Sequence, residues 1–403
     1  MTEKKAKSIK DVNKRRNRYW LPNAFLFYIL RVNLFRDKNL WVFSAWEGNK
    51  YDDNSKYLFE YVNKNCPNIK AIWLSDNINI INEVKSLGYK AVVASSREGR
   101  SIQLKAGKAF YTNGLDDISN ICFIYGAQII CMWHGMGFKK VYYDLIDPRG
   151  IRYRLKVFKD KVFSWIYRDI TISGSAFSSD KQKRSFRIDD RTFIVTGMPR
   201  NDAFSNTYHK NRVFLTIPSA DNYRYILYMP THRPYDDDTI YLTINGLAQS
   251  KCFTDFLDKN GIKLVLKLHY LTKIEQANLP ESFYVLKDKD ISSVQEMLCV
   301  SDLLFTDYSS VITDFASQDK PTIIFTPDFE KYCNHVGIID TIYQLYRCYS
   351  KTSIDDLIES IIRGMSDPDS EMTLTNEINS IFQDKTLKGT CYCKNVIDAI
   401  NRK

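Results

Sequence analysis

The sequence predicts an α/β protein made of two doubly wound, Rossmann-like parallel sheets. Three observations carry this. Short apolar runs rich in Val, Ile, Trp and Phe alternate with amphipathic stretches of helical length, the pattern of a parallel sheet covered by helices. A polar break, NDAFSNTYHKNRVFLTIPSADNYR, divides the runs into two series. The length, 403 residues, exceeds what one hydrophobic core ordinarily organises.

In order, the first series is NLWVFSA, IKAIWLSD, YKAVVAS, KAFYTN, AQIICMWH, DITISGS and TFIVTGMPR. Helical patterns such as NSKYLFEYVNKN and NINIINEVKSLG lie between them. The second series is YILYMPTHR, IKLVLKLHY, FYVLKD, DLLFTDYSS and KPTIIFTPD, with LAQSKCFTDFLDKNG and SIDDLIESIIRGM as helices. The expected division is residues 1–36 as a separate segment, 37–205 as the first domain and 206–403 as the second. Sites in open parallel sheets form at the carboxyl ends of strands, so two facing sheets predict a cleft between domains.

The net charge of +10 is uneven. Residues 1–40 hold eleven Lys and Arg against Glu3, Asp11 and Asp37, giving +8 and leaving about +2 for the rest. Trp20, Phe25, Phe27, Tyr28, Leu30, Leu34 and Phe35 follow this basic block. The uninterrupted apolar run, Ala24–Leu30, is far shorter than the roughly 20 residues a spanning helix needs. No small-residue cleavage site follows it, so a removed leader is not expected. A segment lying on an anionic membrane surface fits best. A helix packed on the domain behind a basic tail is the plainer alternative, and nucleic acid the least favoured partner. Nine cysteines, an odd count with Cys391 and Cys393 as the one close pair, suggest reduced thiols.

Polar residues gather just after the apolar runs. His134 follows AQIICMW, Arg200 lies in TGMPRND, and Thr231 and Arg233 follow YILYMP. His269 closes IKLVLKLH, and Thr306, Asp307, Ser309 and Ser310 follow DLLF. Ser309 and Ser310 are good N-cap types before VITDFASQ, with Asp314 one turn further on. That helix start would be an anion site, although on the local pattern alone ordinary capping is the better explanation. Neither GxxxxGK[ST] nor GxGxxG is present. Asp236-Asp237-Asp238 reads as a solvated loop rather than a metal site.

Six stretches now resemble one family in order and type. They are WEGNKYDDN (46–54), WHGMGFKK (133–140), TGMPRND (196–202), YMPTHR (228–233), LKLH (266–269) and TDYSSVITDFASQDKPTIIFTPDFEKY (306–332). The chain resembles the CDP-glycerol glycerophosphotransferases, which prime and polymerise wall teichoic acid and related capsule polymers. The resemblance implies a GT-B-like fold and transfer of glycerol phosphate from CDP-glycerol to a hydroxyl of an undecaprenyl diphosphate-type, lipid-linked saccharide, releasing CMP. It also implies a peripheral position on the cytoplasmic membrane face, with no cofactor beyond the donor and no metal. The two important histidines of the family fall on His134 and His269. Met136-Gly137-Phe138-Lys139 stands where the family has Thr-Pro-Leu-Lys, and Tyr270 where it has Pro. CDP-ribitol remains an alternative donor, a sugar nucleotide a more remote one, and priming and polymerising stay equally open.

On this reading His134 is the general base on the acceptor hydroxyl, and Gly135 leaves room for substrate. Lys139 holds an acceptor phosphate. Ser309, Ser310 and the helix after them take donor phosphate oxygens. His269 and Arg233 offset charge on the breaking pyrophosphate, with Arg200 within reach. Thr231, Thr306, Asp307 and Asp314 complete the expected donor site.

Overall fold

The computed structural model describes residues 36–402 apart from 119–120, 125, 136–137, 164–168, 187–191, 206–222, 234, 236–237, 270–271, 273, 275–277, 288–289 and 292. Residues 1–35, which carry most of the expected membrane segment, lie outside the described residues, as do His209, Tyr270 and Asp236-Asp237.

Each apolar run becomes a strand. The first lobe holds β1 (Asp37–Phe43), β2 (Lys70–Ser75), β3 (Ala91–Val93), β4 (Ala106–Tyr111), β5 (Gln128–Cys131), β6 (Ile170–Ser173) and β7 (Phe193–Val195). They form one parallel sheet in the order β3-β2-β1-β4-β5-β6-β7. The second lobe holds β8 (Arg224–Met229), β9 (Ile262–Leu266), β10 (Phe283–Val285), β11 (Leu303–Thr306) and β12 (Thr322–Ile324), parallel in the order β10-β9-β8-β11-β12. Helices cover both faces, so the central strands are apolar throughout rather than alternating. In each sheet the order reverses beside the first strand, at β1/β4 and at β8/β11. Those are the positions where a crevice opens at the carboxyl ends.

The first core packs Trp41, Phe43, Trp73 and Phe110 against the helix Asp53–Asn65. The second packs Tyr228, Leu264 and Phe305 against the helices Asp238–Gln249, Lys251–Lys259 and Ile354–Ser366. The expected single helix in LAQSKCFTDFLDKNG is two, because the Ser250 side chain caps Phe253 N and restarts the chain there.

The chain then crosses back. Residues of the last helix, Tyr392–Arg402, join the first core through Cys393, Val396, Ile397 and Ile400. Burying Val396, Ile397 and Ile400 contributes about 1.5–3 kcal/mol each, which fixes the helix on the first lobe although it follows the second in sequence. Asp202 caps it, accepting hydrogen bonds from Tyr392 N and Cys393 N, both at 2.8 Å. Gly197, with φ +76°, has no side chain because a Cβ there would lie 2.2 Å from the Tyr392 ring.

A second connection is an apolar seam. Phe138 and Met198 of the first lobe pack among Tyr308, Ile312, Ile338 and Phe382 of the second. The backbone beside Phe138 pairs with the second lobe: Lys139 bridges Ile338 in antiparallel sense, and Ile339 N donates to Phe138 O at 3.1 Å.

Candidate active site

His134 follows β5 by three residues and is half-buried. Its ring lies against Trp133 at 4.5 Å and Trp46 at 5.7 Å between centroids. Burial lowers the imidazole pKa, Asp53 raises it and Arg200 lowers it again, and the balance is downward. A neutral ring at cellular pH accepts a proton, which a general base requires.

The backbone around this ring is strained. Trp46, Glu47, Asp53 and Trp133 all have φ between +51° and +65°, a region that residues other than glycine seldom occupy. Such conformations cost of order 1–3 kcal/mol each and persist only where surrounding contacts enforce them. Those contacts are present. Asp117 accepts from Glu47 N at 2.6 Å, and Asn54 Nδ2 donates to Trp133 O at 2.9 Å.

Arg200 joins the lobes. Nη1 donates to Asp53 Oδ1 at 2.9 Å and to His134 O at 2.8 Å, while Nη2 donates to Asp314 Oδ2 at 2.6 Å. Burial lowers the guanidinium pKa, but Asp314 and Asp53 outweigh it and hold the group charged. Both terminal nitrogens that were expected to reach a donor phosphate are thus engaged by two carboxylates and the His134 carbonyl, and the buried Nε makes no hydrogen bond.

Gly135, with φ +145°, sits where a Cβ would lie 3.2 Å from both Arg200 Nη2 and Ser310 Oγ. The main chain of the first lobe thus runs directly against Ser310 of the second. Ser310 occupies the N-cap position of the helix Val311–Ala316 with helical φ −67° and ψ −9°, and its side chain makes no cap bond. This departs from the capping expected of it: the helical backbone points Oγ away from the turn. Ser309 Oγ accepts weakly from Val311 N at 3.4 Å. Both serines are partly exposed.

A further expectation changes at Arg233, which is fully buried. Its Nε and Nη2 donate to Asp328 at 2.6 and 3.1 Å, and Nη1 donates to Asp307 Oδ2 at 2.7 Å and Thr231 O at 2.8 Å. That network engages four of its five N–H donors. Asp307 also accepts from Thr231 N at 2.8 Å, and Thr306 Oγ1 donates to Met229 O at 2.6 Å, so both brace the strand ends. Asp314 likewise serves Arg200. Of the residues expected at the donor site, Thr231, His269, Ser309 and Ser310 are only partly buried.

His269 stacks face to face on His232, 4.9 Å between centroids and 14° between planes. His232 stands with Thr231 and Arg233 among the polar residues after YILYMP, but the sequence gives it no role. The Thr231–Asp307 bond ties this imidazole pair to the Ser309–Ser310 corner. Lys139 stretches onto the second lobe, its Nζ 5.9 Å from the Tyr332 ring centre. Burial lowers its pKa, Asp307 raises it and Arg233 lowers it further. Asp328, Tyr308 and Tyr332 were also missed. Tyr308 donates to Asp328 Oδ1 at 2.9 Å and stacks on Tyr332. Among the described residues no group of three His, Cys, Asp or Glu is placed to hold a metal ion.

Fold and site together define a GT-B-like protein, two parallel α/β lobes with polar residues of both gathered at one cleft. The chain belongs to the CDP-glycerol:poly(glycerophosphate) glycerophosphotransferase family, whose model matches residues 26–386. It is 28% identical over 342 residues to a teichoic acid poly(glycerol phosphate) polymerase of Bacillus spizizenii, covering 77% of this chain and 79% of that one. It is 26% identical over 317 residues to a polymerase of the same description from Staphylococcus epidermidis, covering 72% of this chain but only 40% of the relative. The chain therefore spans less than half the length of that longer relative. In structure it is similar to the wall teichoic acid polymerase TagF, a histidine-to-asparagine variant soaked with CDPG, at TM-score 0.71, 19% identity and 98% and 96% coverage. That likeness establishes the fold.

Proposed function

We propose that the protein transfers glycerol phosphate from CDP-glycerol to a hydroxyl of a lipid-linked acceptor, releasing CMP, in teichoic acid or capsule-type polymer synthesis at the cytoplasmic membrane face. The observation that carries this reading is the meeting of His134-Gly135 with Ser310 across the lobes, within 3.2 Å of the missing Cβ. It brings a proton acceptor from one sheet beside a hydroxyl corner from the other.

The acceptor oxygen attacks the phosphorus that bears glycerol. A new P–O bond forms there, the bond to the bridging oxygen breaks, and CMP leaves with its electron pair. His134 takes the acceptor proton. General-base assistance of this kind contributes about 10²–10⁴-fold. Ser309 and Ser310 donate to phosphate oxygens, and His269, Lys139 and the adjacent His232 relieve the charge growing on CMP. Holding both reactants in one cleft supplies a large further share.

The test is a direct assay of purified full-length protein with a defined undecaprenyl diphosphate-linked saccharide and either CDP-glycerol or CDP-ribitol. CMP release and the mass of the product are both read. Product mass increments of glycerol phosphate support the reading. Ribitol phosphate increments redirect it to the other alditol, and no CMP from either donor refutes it.

A further inference from the structure

Trp46 begins the short turn Trp46–Gly48, three residues beyond β1, with φ +51°, and Glu47 follows it at φ +56°. Two successive left-handed residues are a costly way to place an indole, since glycine takes such angles without strain. The turn is nevertheless firmly braced. The buried Asp117 accepts from Glu47 N at 2.6 Å and from Thr112 N and Asn113 N at 2.8 Å each. Ser44 Oγ donates to Asp117 O at 2.6 Å, and Ser75 Oγ donates to Gly48 O. Strain that its surroundings hold in place in this way collects at functional sites. Packing on the first core accounts for the partial burial of Trp46, but it does not require a left-handed backbone.

The ring stands beside the residue read as the base, 5.7 Å from the His134 ring and inclined to it by 53°. Trp133 flanks the same imidazole at 4.5 Å, and Phe186 packs against Trp133 edge-on at 5.1 Å. Trp46 has a different neighbour. The ammonium of Lys50, an exposed side chain, lies 5.3 Å from its ring centre. A cation over an exposed ring is a weak contact, and a lysine on its flexible stem gives way easily. It marks a ring face that a ligand can take over.

Shape decides which ligand. An indole face prefers a flat apolar partner whose rim can stay hydrated. A pyranose has that form, with C–H bonds on one side of the ring and hydroxyls around its edge. Glycerol phosphate is an open chain, charged and strongly hydrated, and it has no face to cover an indole.

We propose that Trp46 is a specificity-determining residue, whose ring stacks on the C–H face of a pyranose in the acceptor and so turns a sugar hydroxyl toward His134. This rests on the proposed function, whose acceptor is a lipid-linked saccharide. It goes further in one respect. The unit that receives glycerol phosphate is the sugar, not a glycerol phosphate added before it, so the first addition is favoured over chain growth.

The test compares soluble acceptors on full-length protein supplied with CDP-glycerol. They are octyl disaccharide glycosides ending in glucose, galactose, mannose or their 2-acetamido forms, and an octyl glycerol phosphate dimer. CMP release gives kcat and KM, and calorimetry without donor gives acceptor affinity. The parent should prefer at least one saccharide over the dimer by about tenfold or more in kcat/KM. Trp46→Leu keeps an apolar contact with the core but loses the flat face. It should raise KM for that saccharide about tenfold, the effect of roughly 50 Å² of apolar contact, with kcat changed much less. Its calorimetric affinity should weaken by the same factor, and Trp46→Phe, which restores a ring, should recover most of the loss. Thermal unfolding is followed for each variant, and the preference of the parent decides the matter should Trp46→Leu melt early. A fall in kcat with KM unchanged overturns the proposal, because the ring then only supports His134. Equal losses toward both acceptors, or a parent that neither binds nor turns over any of the saccharides, overturn it too. A parent that turns over the dimer in preference sinks the sugar subsite and leaves the proposed reaction standing. A parent that binds a saccharide through Trp46 yet releases no CMP keeps the subsite and refutes the reaction.

Discussion

Arg200 donates to Asp314 across the lobes at 2.6 Å and, with its other nitrogen, to the His134 carbonyl oxygen at 2.8 Å. One side chain therefore sets both the spacing of the lobes and the position of the residue read as the base. Its removal leaves Asp53 and Asp314 buried without their counter-ion. Breaking one partner of a buried pair costs about 3–5 kcal/mol, so Arg200→Ala should lower unfolding free energy by that amount in urea titration. Arg200→Lys should recover only part of it, because a point ammonium cannot serve Asp53, Asp314 and a carbonyl as a planar fork does.

Gly135 is a point of close approach between the lobes. Gly135→Ala introduces a methyl 3.2 Å from Ser310 Oγ and Arg200 Nη2 at φ +145°. The lobes must part slightly to admit it. Displacement of reacting groups by about 1 Å costs on the order of 100-fold in rate. Because the neighbours need give by only a few tenths of an ångström, steady-state kinetics should show a smaller fall in kcat, of about tenfold, with a much smaller change in the affinity for CDP-glycerol measured by calorimetry.

The acid limb of the kcat/KM profile should lie below the ordinary imidazole value of 6.5, because burial lowers the His134 pKa. Folding then favours the neutral ring. Its contribution to stability is fully present above 6.5 and is lost as pH falls toward the lower folded value. Asp53 acts to raise the His134 pKa. Asp53→Asn should move the acid limb further down, and a shift upward would show that another group titrates there.

Asp202 caps the helix that returns to the first lobe. Losing a cap of this kind costs about 0.5–2 kcal/mol. Asp202→Ala should show that loss by thermal unfolding and faster cleavage by protease within 388–402, with CDP-glycerol affinity little changed.

The strands were legible because buried parallel strands are short unbroken apolar runs, and each of the twelve runs forms one. The cleft was legible for the same reason, since polar residues after such runs lie at carboxyl strand ends. The partners of Arg200 and Arg233 were not. Asp53 and Asp314 stand 147 and 114 positions from Arg200, and nothing local distinguishes an arginine aimed at substrate from one sealed among carboxylates. Ser310 kept the right residue type for a cap but not the geometry, because capping depends on a backbone angle that composition does not fix.

The account depends on His134 accepting the acceptor proton beside a donor held by the other lobe. The most direct measurement is CMP release by His134→Ala, taken together with calorimetric binding of CDP-glycerol to the same protein. Turnover lost by about 10²-fold or more with binding nearly unchanged is the expected result. CMP release at the parent rate would contradict it.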